Sequence, residues 1–242
     1  MKRIAVFTEG QTELIFVRDF LFRLIDASKL SLECWELLSH KLSRVPYMYS
    51  SPNPEIHFMI INVHGDEGVL SSIKEREKNL IEKSGFDKII GLRDMYSDAY
   101  CKLSPSVISE SVSREFMQGY YSTIQQMTYR DRITLYFAVM ETEAWFLAMY
   151  NIFQKIDGRL TINYIQRNLG IDLKSIDPQK EFYRPTEQVQ EIFSLCGRRY
   201  NKKESDVESI TSKMEPADFD NARENNRCSC FDDFYQEIRG YN

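Results

Sequence analysis

Residues 4–13 read IAVFTEGQTE, and this stretch determines the fold of the first part of the chain. The apolar run at residues 4–7 is uninterrupted, as is typical of a strand that is covered on both faces of a parallel sheet. Glu9 follows the run, and apolar residues with helical spacing begin at Leu14. A buried strand that leads directly into an amphipathic helix predicts the first βα unit of an α/β fold.

The same alternation continues along the chain, with further apolar runs at residues 58–61, 89–92 and 133–140. Helical spacing separates these runs, and this rhythm predicts a parallel sheet with crossover helices. We therefore expect an α/β domain over residues 1–150 with a sheet of about four parallel strands and flanking helices.

Two segments depart from this rhythm. Residues 28–54 contain Trp35 and three prolines, and we interpret them as an insertion, helical around residues 32–41 and a loop beyond. Residues 151–242 show only short helical periodicities. They are predicted to form a helical C-terminal region that packs on the α/β domain, because their apolar faces require a surface to cover them.

Composition excludes several classes of protein. The chain has 242 residues, of which 43% are hydrophobic, so a real core is expected. The longest apolar run, residues 133–140, is far below the ~20 residues of a membrane span. An odd number of cysteines, five, without a CxxC pair and without a signal peptide predicts a reduced, cytoplasmic protein. The net charge of −5 excludes a general nucleic-acid coat but leaves a local basic groove open.

Acidic residues follow three of the four predicted strands. Ligands of parallel α/β sheets bind beyond the carboxyl ends of the strands, so these acids are candidates for a common site. Converging carboxylates repel one another, and a hard divalent cation such as Mg²⁺ relieves that repulsion. Such a site suits phosphoryl chemistry. The acids are Glu9 and Glu13 after the first strand, Asp94 and Asp98 after the third, and Glu141 and Glu143 after the fourth.

Each acid also has a structural explanation, since loops are polar in general. Asp98 fits the first turn of the next helix, as do Asp66 and Glu67 after the second strand, where the helix dipole favours acids without any metal. Arg93 can hold a phosphate or pair with a carboxylate at the sheet end. The sequence leaves these alternatives open.

Three motifs carry a resemblance to a known family. Residues 9–13 (EGQTE) resemble the opening Glu-Gly-x-Thr-Glu motif of the Toprim-like family catalogued as domain of unknown function 4276. This family is related to the Toprim domains of topoisomerases, primases and the overcoming-lysogenization-defect nucleases. Residues 141–148 (ETEAWFLA) resemble its Glu-x-Glu-Ala-Trp-x-Leu-Ala signature, the most specific of the three. Residues 227–234 (RCSCFDDF) are similar to its closing Cys-Pro-Ser-Phe-x-x-Phe pattern, so the resemblance spans nearly the whole chain.

The resemblance implies a Toprim-type nuclease that uses Mg²⁺ or Mn²⁺ to hydrolyse DNA or RNA. Members of the family often lie beside AAA- or ABC-type ATPases in bacterial genomic islands concerned with phage defence. The chain is therefore expected to be an effector subunit with nucleic acid as its substrate and such an ATPase as a partner.

The resemblance also assigns roles to particular acids. Glu9, Asp94 and Glu143 are expected to converge and hold the metal. Glu13 or Asp98 would complete the ligand shell or act as a general base. Glu141 stays a further candidate ligand, because it shares a face with Glu143 if the strand continues that far.

One departure from the Toprim pattern keeps other functions open. Tyr96 stands where the second acid of an Asp-x-Asp motif belongs, so that either Asp98 substitutes for it or the site binds one metal. The alternative function is a catalytically inactive regulatory or interaction subunit of an ATPase, which the net charge of −5 favours. A third is a small-molecule phosphohydrolase or nucleotide-binding protein. The oligomeric state is left open.

Overall fold

The computed structural model describes residues 1–65 and 68–242, and in these residues the chain forms one six-stranded sheet and twelve α-helices. Asp66 and Glu67, which the sequence places in the first turn of a helix, lie outside the described residues. The strands are β1 (Lys2–Thr8), β2 (Leu30–Leu38), β3 (Lys41–Ser50), β4 (Ile56–Asn62), β5 (Lys88–Asp94) and β6 (Ile133–Ala138).

The helices alternate with the later strands and then follow one another without a strand. They are α1 (Gln11–Leu24), α2 (Gly68–Lys78), α3 (Asp98–Leu103), α4 (Glu110–Ile124), α5 (Glu143–Ala148), α6 (Ile152–Ile156), α7 (Ile162–Leu169), α8 (Pro178–Glu181), α9 (Pro185–Ser194), α10 (Glu204–Thr211), α11 (Pro216–Arg223) and α12 (Ser229–Arg239). Residues 151–242, all of them described, contain helices and no strand, as their short periodicities predict. No helix of the described residues is both long enough and apolar enough to cross a membrane.

Contacts divide the chain into two compact units. The first comprises Met1–Arg93, Ser111–Phe137 and Ile238–Asn242, and the second comprises Asp94–Glu110 and Ala138–Glu237. The units are thus built from segments that alternate along the chain. The domain boundary at residue 150 stays a prediction.

The sheet has the strand order β3-β2-β4-β1-β5-β6. The pairs β2–β4, β4–β1 and β1–β5 are parallel, and β3 is antiparallel to β2. The four predicted strands are confirmed as β1, β4, β5 and β6, and the α/β class is confirmed with them. The predicted number of four strands is wrong, because β2 and β3 add two strands beside β4.

The segment predicted as a helical insertion is the β2–β3 hairpin. Buried Leu30, Leu32 and Cys34 alternate with half-buried residues, which is the period of a strand and not of a helix. The strands are joined through Ser39 and His40, both in the left-handed region with φ of 48° and 65°. Turns of this kind usually carry asparagine or glycine, so the sequence gives no hairpin signal here.

Gly91 in β5 shows how closely the first unit is packed. A Cβ atom added at Gly91 would lie 2.4 Å from Cδ1 of Leu135 in β6 and 3.0 Å from Cδ1 of Ile73 in α2. Only a residue without a side chain lets the strand, its neighbour and the helix approach this closely. The close approach fixes β6 against β5.

Candidate functional site

The turn that follows β6 carries a polar cluster in the second unit. The strand ends at Ala138, Met140 takes the left-handed conformation with φ of 63°, and α5 begins at Glu143. This turn brings Glu141 and Glu143 to the same cation, the ammonium of Lys202. Its Nζ lies 3.1 Å from Oε1 of Glu141 and 3.0 Å from Oε2 of Glu143.

Neutral donors hold the other oxygen of each carboxylate. The hydroxyl of Tyr200 donates a 2.7 Å hydrogen bond to Oε1 of Glu143, and the backbone amide of Thr186 donates a 2.9 Å bond to Oε2 of Glu141. Thr186 lies in the first turn of α9, where amides lack partners within the helix. Each carboxylate therefore has one oxygen fixed by a neutral group and the other turned to the cation.

Burial and charge make this cluster unusual. The side chain of Glu143 is fully buried and that of Glu141 is 15% exposed, whereas that of Lys202 is 32% exposed. Two carboxylates and one ammonium leave a net charge of −1 on the three groups. Buried charges require an opposite charge and additional hydrogen bonds, and the bridging ammonium supplies the opposite charge for both carboxylates.

The loop that carries Lys202 is itself fixed. Lys202 has a φ of 56°, a conformation that costs a residue with a Cβ atom about 1 kcal/mol. The amides on both sides, those of Asn201 and Lys203, donate to Oδ2 of Asp206 at 2.7 and 3.3 Å. The first turn of α10 therefore holds the lysine in a strained position from which its ammonium reaches both carboxylates.

Asp94 contacts the same turn through Thr142. Its Oδ1 accepts 2.9 Å hydrogen bonds from the amide and from the hydroxyl of Thr142, the residue between Glu141 and Glu143. The amides of Met95 and Tyr96 donate to the carbonyls of Ala138 and Met140, so the chain leaves β5 and β6 in the same direction. Asp94 thus fixes the turn that presents the two glutamates.

The remaining candidates after β5 have structural positions. Asp98 is the exposed first residue of α3, where the dipole of the helix favours an acid. Tyr96 packs edge-on against Tyr183 at 5.8 Å between ring centroids. Burial, together with a hydrogen bond involving Cys101, raises the pKa of Tyr183 to about 12. Tyr96 therefore contributes to aromatic packing, and the position of the second acid of an Asp-x-Asp motif is occupied by this tyrosine.

In the first unit, Glu9 lies beside Arg93. Nε of Arg93 is 3.9 Å from Oε2 of Glu9, and the arginine side chain is only 1% exposed. The guanidinium lies over the ring of Tyr120, with 4.7 Å to the centroid, and donates a hydrogen bond to its hydroxyl. Of the two roles that the sequence left open for Arg93, the geometry favours the ion pair.

The position of the Glu13 side chain explains why the opening motif has a glycine at residue 10. Gly10 has extended backbone angles that any residue adopts, so the motif does not require glycine for its conformation. A Cβ atom at Gly10 would instead lie 3.0 Å from Oε2 of Glu13, whose side chain is buried in the first turn of α1. The glycine makes room for this carboxylate.

The six predicted site residues are thus divided between the units. Glu9 and Glu13 belong to the first unit, and Asp94, Asp98, Glu141 and Glu143 belong to the second. In the part of the chain that the structure describes, no three His, Cys, Asp or Glu side chains are grouped as metal ligands. The structure brings together one pair, Glu141 and Glu143, and the convergence of Glu9, Asp94 and Glu143 stays a prediction.

Sequence reasoning missed Lys202 and Tyr200. Both lie in the polar loop before α10, and that loop has no motif that distinguishes its lysines from solvated ones. The four contacts of Glu141 and Glu143 with this loop and with α9 depend on packing between segments that are 45 to 61 residues apart. No pattern in the sequence reports such a pairing.

The second and third motifs of the family resemblance pack on each other in the second unit. Trp145 stacks on Phe234 at 5.8 Å and contacts Phe231 at 5.4 Å between centroids. Burial raises the pKa of Cys228 well above its ordinary value and that of Cys230 to about 11, so both stay protonated thiols. The two motifs therefore form a core that supports the turn carrying Glu141 and Glu143.

Comparison of the chain with protein-family models, with curated proteins and with solved structures finds no match.

Proposed function

We propose that the chain is a Toprim-like hydrolase that cleaves phosphodiester bonds of nucleic acid with Mg²⁺ or Mn²⁺, as an effector subunit of a bacterial phage-defence system. The observation that supports this proposal is the ammonium of Lys202, a cation that contacts both Glu141 and Glu143 after β6. The Toprim-like part of the sheet would be β4, β1, β5 and β6, four strands that are neighbours in this order.

The pair of carboxylates fits a small divalent ion. Mg²⁺ is usually bound through one or two carboxylates, with water and phosphate oxygens completing its octahedron. Glu141 and Glu143 would hold the ion with the two oxygens that now face Lys202. A bound divalent ion would activate a water for attack on phosphorus and stabilise the leaving oxygen.

The chain's own groups prepare this pair. Tyr200 and the Thr186 amide orient the two carboxylates without adding charge, so the orientation is independent of the cation. The ammonium of Lys202 limits repulsion between the carboxylates in the metal-free protein. Because its side chain is 32% exposed, it can turn toward solvent when a doubly charged ion enters.

The same contact favours a second function, a catalytically inactive interaction subunit that binds an ATPase partner. If the ammonium of Lys202 satisfies both carboxylates permanently, the cluster is a structural ion pair and takes no metal. Tyr96 in place of an acid agrees with this alternative.

Calorimetric titration with Mn²⁺ separates the two functions. The hydrolase predicts that the wild type binds Mn²⁺ and that Lys202→Met binds it more tightly, since the competing ammonium is gone. Lys203→Met, which changes the exposed neighbouring lysine, is the matched control and should bind as the wild type does. Cleavage of single- and double-stranded DNA and RNA is then measured with and without Mg²⁺.

The interaction subunit predicts a different pattern. The wild type should show no heat of binding and no cleavage, and Mn²⁺ should bind only after Lys202→Met. Absence of binding in all three proteins would exclude a metal site at Glu141 and Glu143 and would rule out the proposed hydrolase.

A further inference from the structure

A serine, a histidine and a glutamate lie side by side on one face of the sheet in the first unit. Ser31 of β2 and His57 of β4 are partners in the parallel register, and Glu33 follows two residues later in β2, on the same face as Ser31. Oγ of Ser31 is 3.1 Å from Nδ1 of His57, and Nε2 of His57 is 3.4 Å from Oε1 of Glu33. The imidazole therefore lies between a hydroxyl and a carboxylate, with a different ring nitrogen near each.

The surroundings of His57 favour the neutral imidazole. Its side chain is 11% exposed, and burial lowers its pKa below the ordinary value of 6.5. Two charged groups face it, Glu33 from β2, which raises the pKa, and Arg3 from β1, which lowers it; the ring of Phe86 lies 6.3 Å away. A neutral imidazole with its proton on Nε2, toward the carboxylate, presents the lone pair of Nδ1 to the serine hydroxyl.

Arg44 of β3 orients the carboxylate. Its Nη2 donates a 2.8 Å hydrogen bond to Oε2 of Glu33, and its guanidinium lies over the ring of Trp35 at 4.9 Å from the centroid. The other oxygen, Oε1, is thus directed to the imidazole. Nε2 of His57 makes no hydrogen bond among the described residues, and such contacts are often long before substrate binds and shorten during the reaction.

Solvent reaches this face from the side of β3. Ser31 is half-buried, and its cross-strand neighbour in β3, Ser50, is exposed. Met48, which lies opposite Glu33, is 60% exposed. Its flexible apolar side chain is one against which a short acyl chain can pack. A small substrate can therefore approach the serine from the open side of the hairpin.

We propose that Ser31 is a nucleophile activated by His57, and that the first unit hydrolyses small acyl esters on this face of the sheet. Serine with a base in hydrogen-bond reach, and the base oriented by a third group, is the arrangement that nucleophilic catalysis requires. This activity is separate from the proposed cleavage of nucleic acid, since all of its residues belong to the first unit.

The reaction has two steps. Oγ of Ser31 attacks the carbonyl carbon of the ester, and its proton passes to Nδ1 of His57. The bond to the leaving oxygen then breaks, the leaving group takes this proton, and the acyl group stays on Ser31. Water next attacks the acyl carbon, gives its proton through Nδ1 to Oγ, and releases the acid. Glu33 stabilises the imidazolium that forms in both steps.

The position of β2 sets the expected rate. The strand lies between β3 and β4, so its amides take part in the sheet, and the oxyanion of the intermediate is left to water. Turnover should therefore be slow, and an activated ester is the appropriate probe.

Acetylation by p-nitrophenyl acetate tests the proposal, with EDTA present so that the result is independent of divalent metal at Glu141 and Glu143. Peptide mass spectrometry should find the acetyl group on Ser31, and Ser31→Ala should remove this adduct. Ser50→Ala, which changes the exposed serine opposite, is the matched control and should react as the wild type does. His57→Gln should slow acetylation of Ser31 at least about a hundredfold.

The pH profile separates a general base from a structural histidine. In the wild type the acetylation rate should rise with pH through a pKa below 6.5 and then level off, and His57→Gln should lack this rise. Circular dichroism checks that each variant is folded. Absence of an acetyl group on Ser31 in the wild type, or equal rates of its acetylation in the wild type and in folded His57→Gln, overturns the proposal.

Discussion

Replacement of Glu143 by glutamine measures how strongly the cation-bridged pair stabilises the second unit. Glutamine keeps an oxygen for the hydroxyl of Tyr200, but a bond to a neutral acceptor is worth about 1 kcal/mol less than one to a carboxylate. The ion pair with Lys202, at 3.0 Å and with one partner 32% exposed, contributes about 1 kcal/mol more. We therefore expect Glu143→Gln to lower the free energy of unfolding by about 2 kcal/mol in urea titrations.

Alanine at the same position should cost more. Glu143→Ala also leaves the buried hydroxyl of Tyr200 without its acceptor, and the total loss should reach about 4 kcal/mol. Glu187→Gln makes the same chemical change in an exposed pair with Arg184 and should leave the free energy of unfolding unchanged within the error of the titration. If Glu143→Gln is as stable as the wild type or more so, repulsion between the glutamates exceeds the attraction of Lys202, and the balance of charges inferred for this cluster is wrong.

Three further predictions concern the first unit. Burial lowers the pKa of His57 below its ordinary value of 6.5, against the opposing effect of Glu33, so the unfolded chain binds the proton more readily. Stability should therefore fall as pH decreases below about 6.5, and urea titrations of His57→Gln should show a smaller loss between about pH 7 and pH 5. Gly91→Ala should destabilise the protein by about 1–3 kcal/mol, because the added methyl group overpacks the core. Gly119→Ala in α4, where a Cβ atom meets nothing within 4 Å, should stabilise it by up to about 1 kcal/mol. Thermal melts should therefore show a lower melting temperature for the first variant and a higher one for the second. Glu9→Gln should destabilise by about 1 kcal/mol in the same melts, because it removes the charge beside the buried Arg93; an increase in stability would show that the two side chains do not form an ion pair.

The parts of the fold that depend on local pattern were predictable from the sequence. The buried runs of β1, β4 and β5 are continuous because both faces of these strands are covered, and such runs are recognisable without any tertiary information. β6 was recognisable from its mostly apolar residues, although Thr134 and Tyr136 on one of its faces are only half-buried. The hairpin was missed because its turn uses Ser39 and His40 at positive φ in place of the residues that usually signal it.

The candidate site was predictable only in part, for a different reason. Acids after strand ends are visible in the sequence, and Glu141 and Glu143 were among them. Their cation was not, because Lys202 reaches them through a loop that Asp206 fixes, 61 residues from Glu141. Arg93 was likewise visible in the sequence, but its pairing with Glu9 instead of with a phosphate is recognisable only from the distance between the two side chains.

A structure of the protein crystallised with Mn²⁺, measured at the manganese absorption edge, tests the central claim most directly. The proposed hydrolase predicts an anomalous peak bound by carboxylate oxygens of both Glu141 and Glu143, with the ammonium of Lys202 displaced from between them. Tyr200 and the Thr186 amide should keep their hydrogen bonds to the other two oxygens. A map without an anomalous peak at these glutamates, in which Lys202 still bridges them, would contradict the claim and leave the cluster as a structural ion pair.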